Sequence, residues 1–291
     1  MTFSSEAFEP LLAWRGRREQ RTEMLAAFPA QALSATLDRD NATVETGAAL
    51  PPGYQWLYFL PLAAMAQVGA DGHPARGGFL PPVPLPRRMW AAGRLSFHSP
   101  LQIDERVTRE SEIIDIRMKT GRSGPLVFVT VEHRYLGSDE RLAIVEQQDI
   151  VYREPAAGEQ PAVQQSSAAP ASASATWCRQ LTADPVLLFR YSALTFNGHR
   201  IHYDRPYATE VEGYAGLVVH GPLVATLLLD LVRRKRPDAQ IAHFEFRAMK
   251  PLLDGAAFQL CGEPATDGNS IKLWAEDAGG VVTMLATATL A

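Results

Sequence analysis

Residues 217–232 constrain the fold more than any other stretch of this chain. Leu217, Val218, Val219, Leu223, Val224, Leu227, Leu228, Leu229 and Leu231 cover every side of a helix rather than one stripe. A helix that is apolar all round has to be buried all round. It does not suit a bilayer, because His220, Gly221, Pro222 and Asp230 interrupt it and no apolar run reaches the ~18 residues a span needs. The basic run at 233–236 and Pro237 then read as a stop that complements the helix dipole. The remaining solution is a helix enclosed by other elements of the same protein, so the rest of the chain has to supply the enclosure.

Strand patterns supply it. Alternating apolar residues mark strands at 93–97, 106–119, 126–136 and 141–152, a meander of long antiparallel strands. Further strands are predicted at 56–60, 186–191, 241–249, 257–263, 270–277 and 281–290, and residues 6–40 read as helical. Residues 69–88 are dense in proline and glycine. Proline lacks the N–H that a helix or central strand needs, so this is an ordered loop. Residues 154–176 are Ala, Ser, Pro and Gln with few large apolar side chains, which reads as a linker.

The two halves repeat. The stretch from Arg94 through Pro100, Leu101 and Asp104 has its counterpart from His243 through Pro251, Leu252 and Asp254. Each runs aromatic strand, Pro-Leu, acidic turn, long strand and a last pair. Only the second copy keeps a long apolar helix; in the first the proline-rich loop takes its place. An antiparallel sheet wrapped around one helix is the hotdog fold. The expectation is therefore an α+β double hotdog with two antiparallel sheets. It comprises a degenerate N-terminal hotdog at 1–153, the linker at 154–176, and a catalytic hotdog with the central helix at 177–291.

Just before the helix, residues 197–204 crowd together Asn197, His199, Arg200, His202, Tyr203 and Asp204, and His220-Gly221 opens the helix itself. This run resembles the hydratase-2, or MaoC-like, branch of the hotdog superfamily, whose members add water to, or remove it from, the 2,3 bond of acyl thioesters. The family motif is Gly-Asp-x-Asn-Pro-Leu-His, in which Asp and His activate one water. His202 falls on its histidine, Asn197 on its aspartate, His199 on its Asn and Arg200 on its Pro. Gly221 matches the glycine whose N–H polarises the thioester carbonyl. The resemblance covers most of 184–291. It is strongest to the subgroup that includes mesaconyl-C4-CoA and itaconyl-CoA hydratases and mitochondrial hydroxyacyl-thioester dehydratases.

The chemistry suits these residues independently. Conjugate addition of water needs a base that works near neutral pH, which histidine is. The enolate needs a preorganised donor, which a helix-start N–H is. Asn197 cannot take a proton, so His202 is left as the base, with Asp204 or His199 as helpers. The catalytic set is His202, Asn197 and Gly221. The substrate-binding set is Arg200, as clamp for a substrate carboxylate, with His199, Tyr203 and His220. Each has a structural alternative: Asn197 as a turn former, Asp204 as a helix cap, Arg200 in a salt bridge, Tyr203 and Tyr191 as packing.

Other classes are excluded or disfavoured. His199 and His202 find no further ligand nearby in sequence, so no metal is expected. There is no nucleophile elbow, Rossmann or phosphate-loop glycine pattern. A net charge of −4 gives no reason to expect nucleic acid. Arg87, Arg88, Lys119 and Arg122 read as surface charge, with coenzyme A phosphates the alternative. Cys178 and Cys261 read as two thiols, and the first residues lack a secretory pattern, so a cytoplasmic protein is expected. The expected function is hydration of a short branched enoyl-CoA dicarboxylate, itaconyl-CoA or mesaconyl-C4-CoA, to citramalyl-CoA. No cofactor is expected beyond the coenzyme A of the acyl-CoA substrate, no membrane partner is expected, and a homodimer is compatible. The alternatives are a 3-hydroxyacyl-thioester dehydratase of fatty-acid synthesis and a non-catalytic acyl-CoA binding protein.

Overall fold

The computed structural model describes residues 5–39, 45–121, 124–154 and 175–291. The first half contributes β1 (Arg18–Met24), β2 (Arg87–Phe97), β3 (Arg106–Gly121), β4 (Gly124–Leu136) and β5 (Leu142–Arg153). The second contributes β6 (Trp177–Thr182), β7 (Ile241–Ala248), β8 (Ala257–Pro264), β9 (Ser270–Glu276) and β10 (Val282–Leu290). All ten join in one sheet, ordered β1-β3-β4-β5-β2-β7-β10-β9-β8-β6. Read outward from the centre, that order is the same in both directions, with β2 matching β7 and β1 matching β6, as a duplicated unit requires. The two expected sheets are thus continuous. The join is β2 with β7, antiparallel from Ala92↔Arg247 to Ser96↔His243. These are the two strands whose sequences carry the repeat.

The apolar helix is α4 (Gly221–Lys235). It packs against β8, β9 and β10, and Leu223, Leu227, Leu228 and Leu231 are fully buried. Each such side chain contributes roughly 2 kcal/mol by leaving water. Its one buried carboxylate, Asp230, is met by Arg179 at 3.0 Å, Arg234 at 2.6 Å and Arg39 at 3.4 Å. Arg234 also donates to the carbonyls of Leu37 and Asp38. The basic run therefore does more than stop the helix: it ties the helix end to the first half. Among the described residues no helix is long and apolar enough to cross a membrane.

Several local expectations are corrected. Residues 6–40 are not all helical. A short α1 (Ser5–Phe8) and a 3-10 turn lead into β1, and α2 (Ala27–Thr36) follows. The strand β1 carries Arg18, Glu19, Arg21 and Glu23 with little apolar alternation, and its pairing with β3 makes it a strand. Such charge on an edge also discourages pairing with other molecules. The segment at 56–60 is the end of a 3-10 turn (Tyr54–Leu57) and the residues after it, among them Phe59, whose φ is 56°. The segment at 186–191 is inside α3 (Pro185–Leu194). There the Asp184 carboxylate accepts the Leu187 N–H at 2.8 Å, and Pro185 sits at the first turn, a start signal that outweighs the β-leaning Val-Leu-Leu-Phe run. The expected linker at 154–176 lies outside the described residues except at its ends.

No long helix fills the concave face of the first half among the described residues. The proline-rich loop crosses it instead. Val83 and Leu85 are fully buried there against Leu11, Ile113, Ile116, Val127 and Val129. Arg76 reaches back to donate to the carbonyls of Val83, Leu85 and Pro86, groups that a proline-rich segment cannot pair by itself. The loop covers the sheet without filling it, and a cavity remains beneath.

Candidate active site

The cavity measures about 570 Å³ and lies between the loop and the inner faces of β2 to β5. An inner face that packs a helix would be apolar. This one carries a row of polar side chains across three strands, Ser111 opposite His133 and His133 opposite Glu146. Glu146 is fully buried and receives hydrogen bonds from Trp56 Nε1 at 2.9 Å, Gln148 Nε2 at 2.6 Å and the Tyr135 hydroxyl at 3.2 Å. Burial raises its pKa despite those donors. Burial, aided by Arg109, pushes His133 down to about 3. Arg109 also lines the cavity. Its guanidinium lies 5.1 Å from the Phe59 ring centre and 3.4 Å from Glu19, and its buried Nε has no partner.

The second half closes the cavity with Tyr191, residues 195–198 and Pro222. α3 ends at Leu194, and Phe196 takes a left-handed φ of 48°. The chain then turns sharply, with Asn197 Oδ1 accepting the His199 N–H at 3.0 Å. Asn197 is thus both the turn former and a cavity-wall residue. Behind it stand three imidazoles. The His202 ring lies 5.4 Å from His199, edge to face, and 3.7 Å from His220, stacked. His202 Nδ1 donates to the Val218 carbonyl at 2.7 Å, which fixes its tautomer and leaves Nε2 as the basic nitrogen. His220 bonds Ser192 Oγ through Nε2 at 2.8 Å. Burial pushes His202 down to about 4, with the Val218 bond opposing. Burial pushes His199 down to about 2 and His220 well below its ordinary value. All three rings are neutral at pH 7. At the start of α4 the Gly221 N–H finds no acceptor among the described residues, and no side chain caps the helix.

The loop brings two residues that the sequence reading did not place here. Asp71 and His73 lie against His199, with the His73 and His199 ring centres 4.0 Å apart. Asp71 accepts the His73 backbone N–H at 3.0 Å and bonds its Nδ1 at 2.9 Å. The loop is stapled to the motif through its backbone: the Arg200 N–H donates to Asp71 O at 2.9 Å. A Cβ on Gly72 would sit 1.8 Å from the Gly198 carbonyl oxygen, so only glycine allows this approach. Donor atoms of Asp71, His73 and His199 all lie within 4.8 Å of one another. The expectation that no further ligand meets the histidines is therefore corrected for His199 alone, which Asp71 and His73 join from far upstream in the chain, while His202 is not in the set. Within that set the Asp71–His73 hydrogen bond already uses the His73 Nδ1.

The expected substrate-binding side chains are placed differently. Arg200 does not reach the cavity. It pairs with Asp204 at 2.8 Å, donates to the Ala70 carbonyl at 3.0 Å and covers Tyr207 at 4.1 Å, so it braces the loop instead of clamping a substrate. Tyr203 is 52% exposed, with its hydroxyl on the Gly198 carbonyl at 3.0 Å. Asp204 caps the next turn by accepting the Tyr207 N–H at 3.1 Å. His199 and His220 belong to the imidazole group, not to the cavity wall. Arg87 is engaged by Glu212 at 3.1 Å, Arg88 lines the cavity, and Arg122 lies outside the described residues. Cys178 and Cys261 are free thiols that face each other across β6 and β8, with Sγ atoms 3.1 Å apart.

The family model of hydroxyacyl-thioester dehydratase type 2 matches residues 53–254. A mesaconyl-C(4)-CoA hydratase of Chloroflexus aurantiacus is 48% identical over 281 residues, 96% of this chain and 97% of the relative. The mitochondrial hydroxyacyl-thioester dehydratase type 2 of Schizosaccharomyces pombe is 30% identical over 73% of this chain and 77% of its own length. Among solved structures, a MaoC-like dehydratase superposes with a TM-score of 0.71 at 15% identity, covering 96% of this chain and 99% of its own. A Mycobacterium tuberculosis protein described as having a double hotdog fold gives 0.54 at 15% identity, covering 95% and 96%. These two likenesses establish the double-hotdog fold.

Proposed function

We propose that this chain, which belongs to the hydroxyacyl-thioester dehydratase type 2 family, is a hydro-lyase that hydrates a short branched dicarboxylyl enoyl-CoA of the mesaconyl-C4 or itaconyl type to citramalyl-CoA. The observation that carries the reading is one junction. Asn197 stands in the wall of a cavity large enough for an acyl group, and behind that wall lie the neutral imidazole of His202, stacked on His220, and the free helix-start N–H of the adjacent Gly221. The Gly221 N–H, at the positive end of the α4 dipole, polarises the thioester carbonyl and receives the charge of the enolate. His202 Nε2 accepts a hydrogen bond from the attacking water, and Asn197 holds that water in place. The scheme needs no metal ion and no redox cofactor, and coenzyme A enters as part of the substrate.

The acyl group is argued from the cavity. An apolar tunnel would suit a long fatty chain. Here the wall carries Arg109 with an unpartnered Nε, and elsewhere Arg88. A guanidinium is the natural partner of a carboxylate. We therefore favour an acyl group that ends in a carboxylate, held in the first half while the second half performs the chemistry. The test is loss of enoyl absorbance with mesaconyl-C4-CoA, itaconyl-CoA and crotonyl-CoA. Hydration of a dicarboxylyl thioester well ahead of crotonyl-CoA is expected. Equal or better turnover of long unbranched 3-hydroxyacyl thioesters in the reverse direction would favour a fatty-acid dehydratase, and no turnover of any of them would favour acyl-CoA binding alone.

A further inference from the structure

The water-activating site, as the hydratase reading draws it, lacks a negative charge. Asn197 is neutral, and the carboxylate nearest the motif in sequence, Asp204, is committed to Arg200 and to the Tyr207 N–H. A proton taken from water would then rest on a buried imidazole with no counter-ion, which is costly. The fold supplies a carboxylate from elsewhere. Asp71 is half-buried beside His199 and makes two hydrogen bonds to His73. Burial pushes its carboxyl up, but those bonds and the nearby imidazoles outweigh it, so it stays ionised. Of the imidazoles grouped around the motif, His73 is the one that lines the cavity. Its Nδ1 is fixed on Asp71, so its free nitrogen is Nε2. Arg200 and the Gly72–Gly198 approach hold this pair against the motif.

We propose that His73, oriented by Asp71, is a second acid–base residue of the hydration, and that this loop-borne pair supplies the negative charge missing at Asn197. The inference rests on the hydratase reading. The attacking water lies between two imidazoles, His202 Nε2 and His73 Nε2. One O–H bond breaks as the oxygen bonds to C3 of the enoyl group. The C2=C3 π pair moves toward the thioester and gives an enolate at Gly221. The proton goes to His73 Nε2, and the imidazolium lies against the Asp71 carboxylate. The same proton then passes to C2, which restores neutral His73, so water is consumed and no net proton is released. His202 orients the water through its second O–H.

The test is steady-state hydration of mesaconyl-C4-CoA by the full chain and four variants. His73→Gln keeps a hydrogen bond to Asp71 and most of the volume. It is expected to lower kcat by at least ~100-fold, the usual scale of a lost acid–base group, with KM changed less than about threefold. Asp71→Asn is expected to lower kcat at least about tenfold with KM similarly unmoved, which marks a positioning residue acting through His73. His73→Ala leaves a ring-sized space, and added imidazole should restore part of the lost rate, as it would not for a merely structural histidine. His73→Gln within twofold of the parent kcat, while His202→Ala is inactive, overturns the role of His73 and leaves the hydratase reading standing. Parental activity of His202→Ala, or no turnover by the parent, defeats that reading instead. Loss of parental activity with EDTA and its return with Zn²⁺ would also overturn the proposal, by assigning Asp71, His73 and His199 to an ion.

Discussion

The two halves of the molecule share a strand order and differ in what they enclose. In the second, β7 to β10 wrap α4, and the inner face is Phe258, Leu260, Ile271, Leu273 and Ala288, all buried. In the first, β2 to β5 wrap a loop and a cavity of about 570 Å³, and the inner face carries Arg109, His133, Glu146 and Gln148. The lesson is that a sheet does not need a helix to stay folded once it is paired along its length to a sheet that has one. The β2–β7 join lets the second half act as scaffold. The first half is then free to keep polar groups indoors that an isolated hotdog would not tolerate. The loop released from core duty reaches across and places Asp71 and His73 on its neighbour.

Acid should break this division first, and from the second half. Histidines 199, 202 and 220 there, and His133 in the first half, are held neutral with lowered pKa values. The unfolded chain binds protons at them from about pH 6.5 downward, and the native state does not. Stability is therefore full above pH 6.5 and falls as pH drops toward each folded value, on the order of 1–2 kcal/mol per histidine by pH 5. Urea melts at pH 7.5, 6.5 and 5.5 should show it, with hydrogen exchange rising in α3 and at 195–203 before β3 to β5. Packing should separate the halves next. Leu228→Ala empties space in the middle of α4 and should cost about 3 kcal/mol, whereas Ile150→Ala beside the existing cavity should cost about 1 kcal/mol. Equal losses would mean that the cavity side is packed as tightly as the helix side.

How much of this was legible in sequence follows from the range of each interaction. The apolar surround of α4 and the crowding at 197–204 are local patterns; the first led to a buried helix, and the second to the stretch that carries two of the three grouped imidazoles. The strands of the meander were legible because alternation is local too. What was not legible was set by distant partners. Nothing in Asp71-Gly-His73 distinguishes it from other turns in a proline-rich loop until Gly72 packs on Gly198. Arg200 looked free to bind a carboxylate because its partners at Ala70 and Tyr207 are supplied by the fold. The polar row was half visible. The alternation of Val127, Val129 and Val131 breaks at His133, and that of Ile144, Ile150 and Tyr152 breaks at Glu146 and Gln148. Only the register Ser111–His133–Glu146 shows that these breaks coincide.

The smallest expected effect bears most closely on why the first half gave up its helix. If the cavity exists to hold a carboxylate-ended acyl group, Arg109 should matter to binding and to that substrate class alone. Arg109→Met keeps an unbranched apolar stem and removes the guanidinium that lies over Phe59. The KM for mesaconyl-C4-CoA should rise roughly tenfold, about 1.4 kcal/mol, with kcat changed little, because the contact is made equally in the ground and transition states. The KM for crotonyl-CoA, which has no second carboxylate, should stay within about twofold of the parent. A parallel rise for both substrates would assign Arg109 to the architecture of the Glu19 and Phe59 wall. No rise for either would return the cavity to an unspecialised acyl chamber. Selective loss would instead tie the missing helix to a gain in recognition, since Arg109 stands on the inner face that a helix like α4 would otherwise cover.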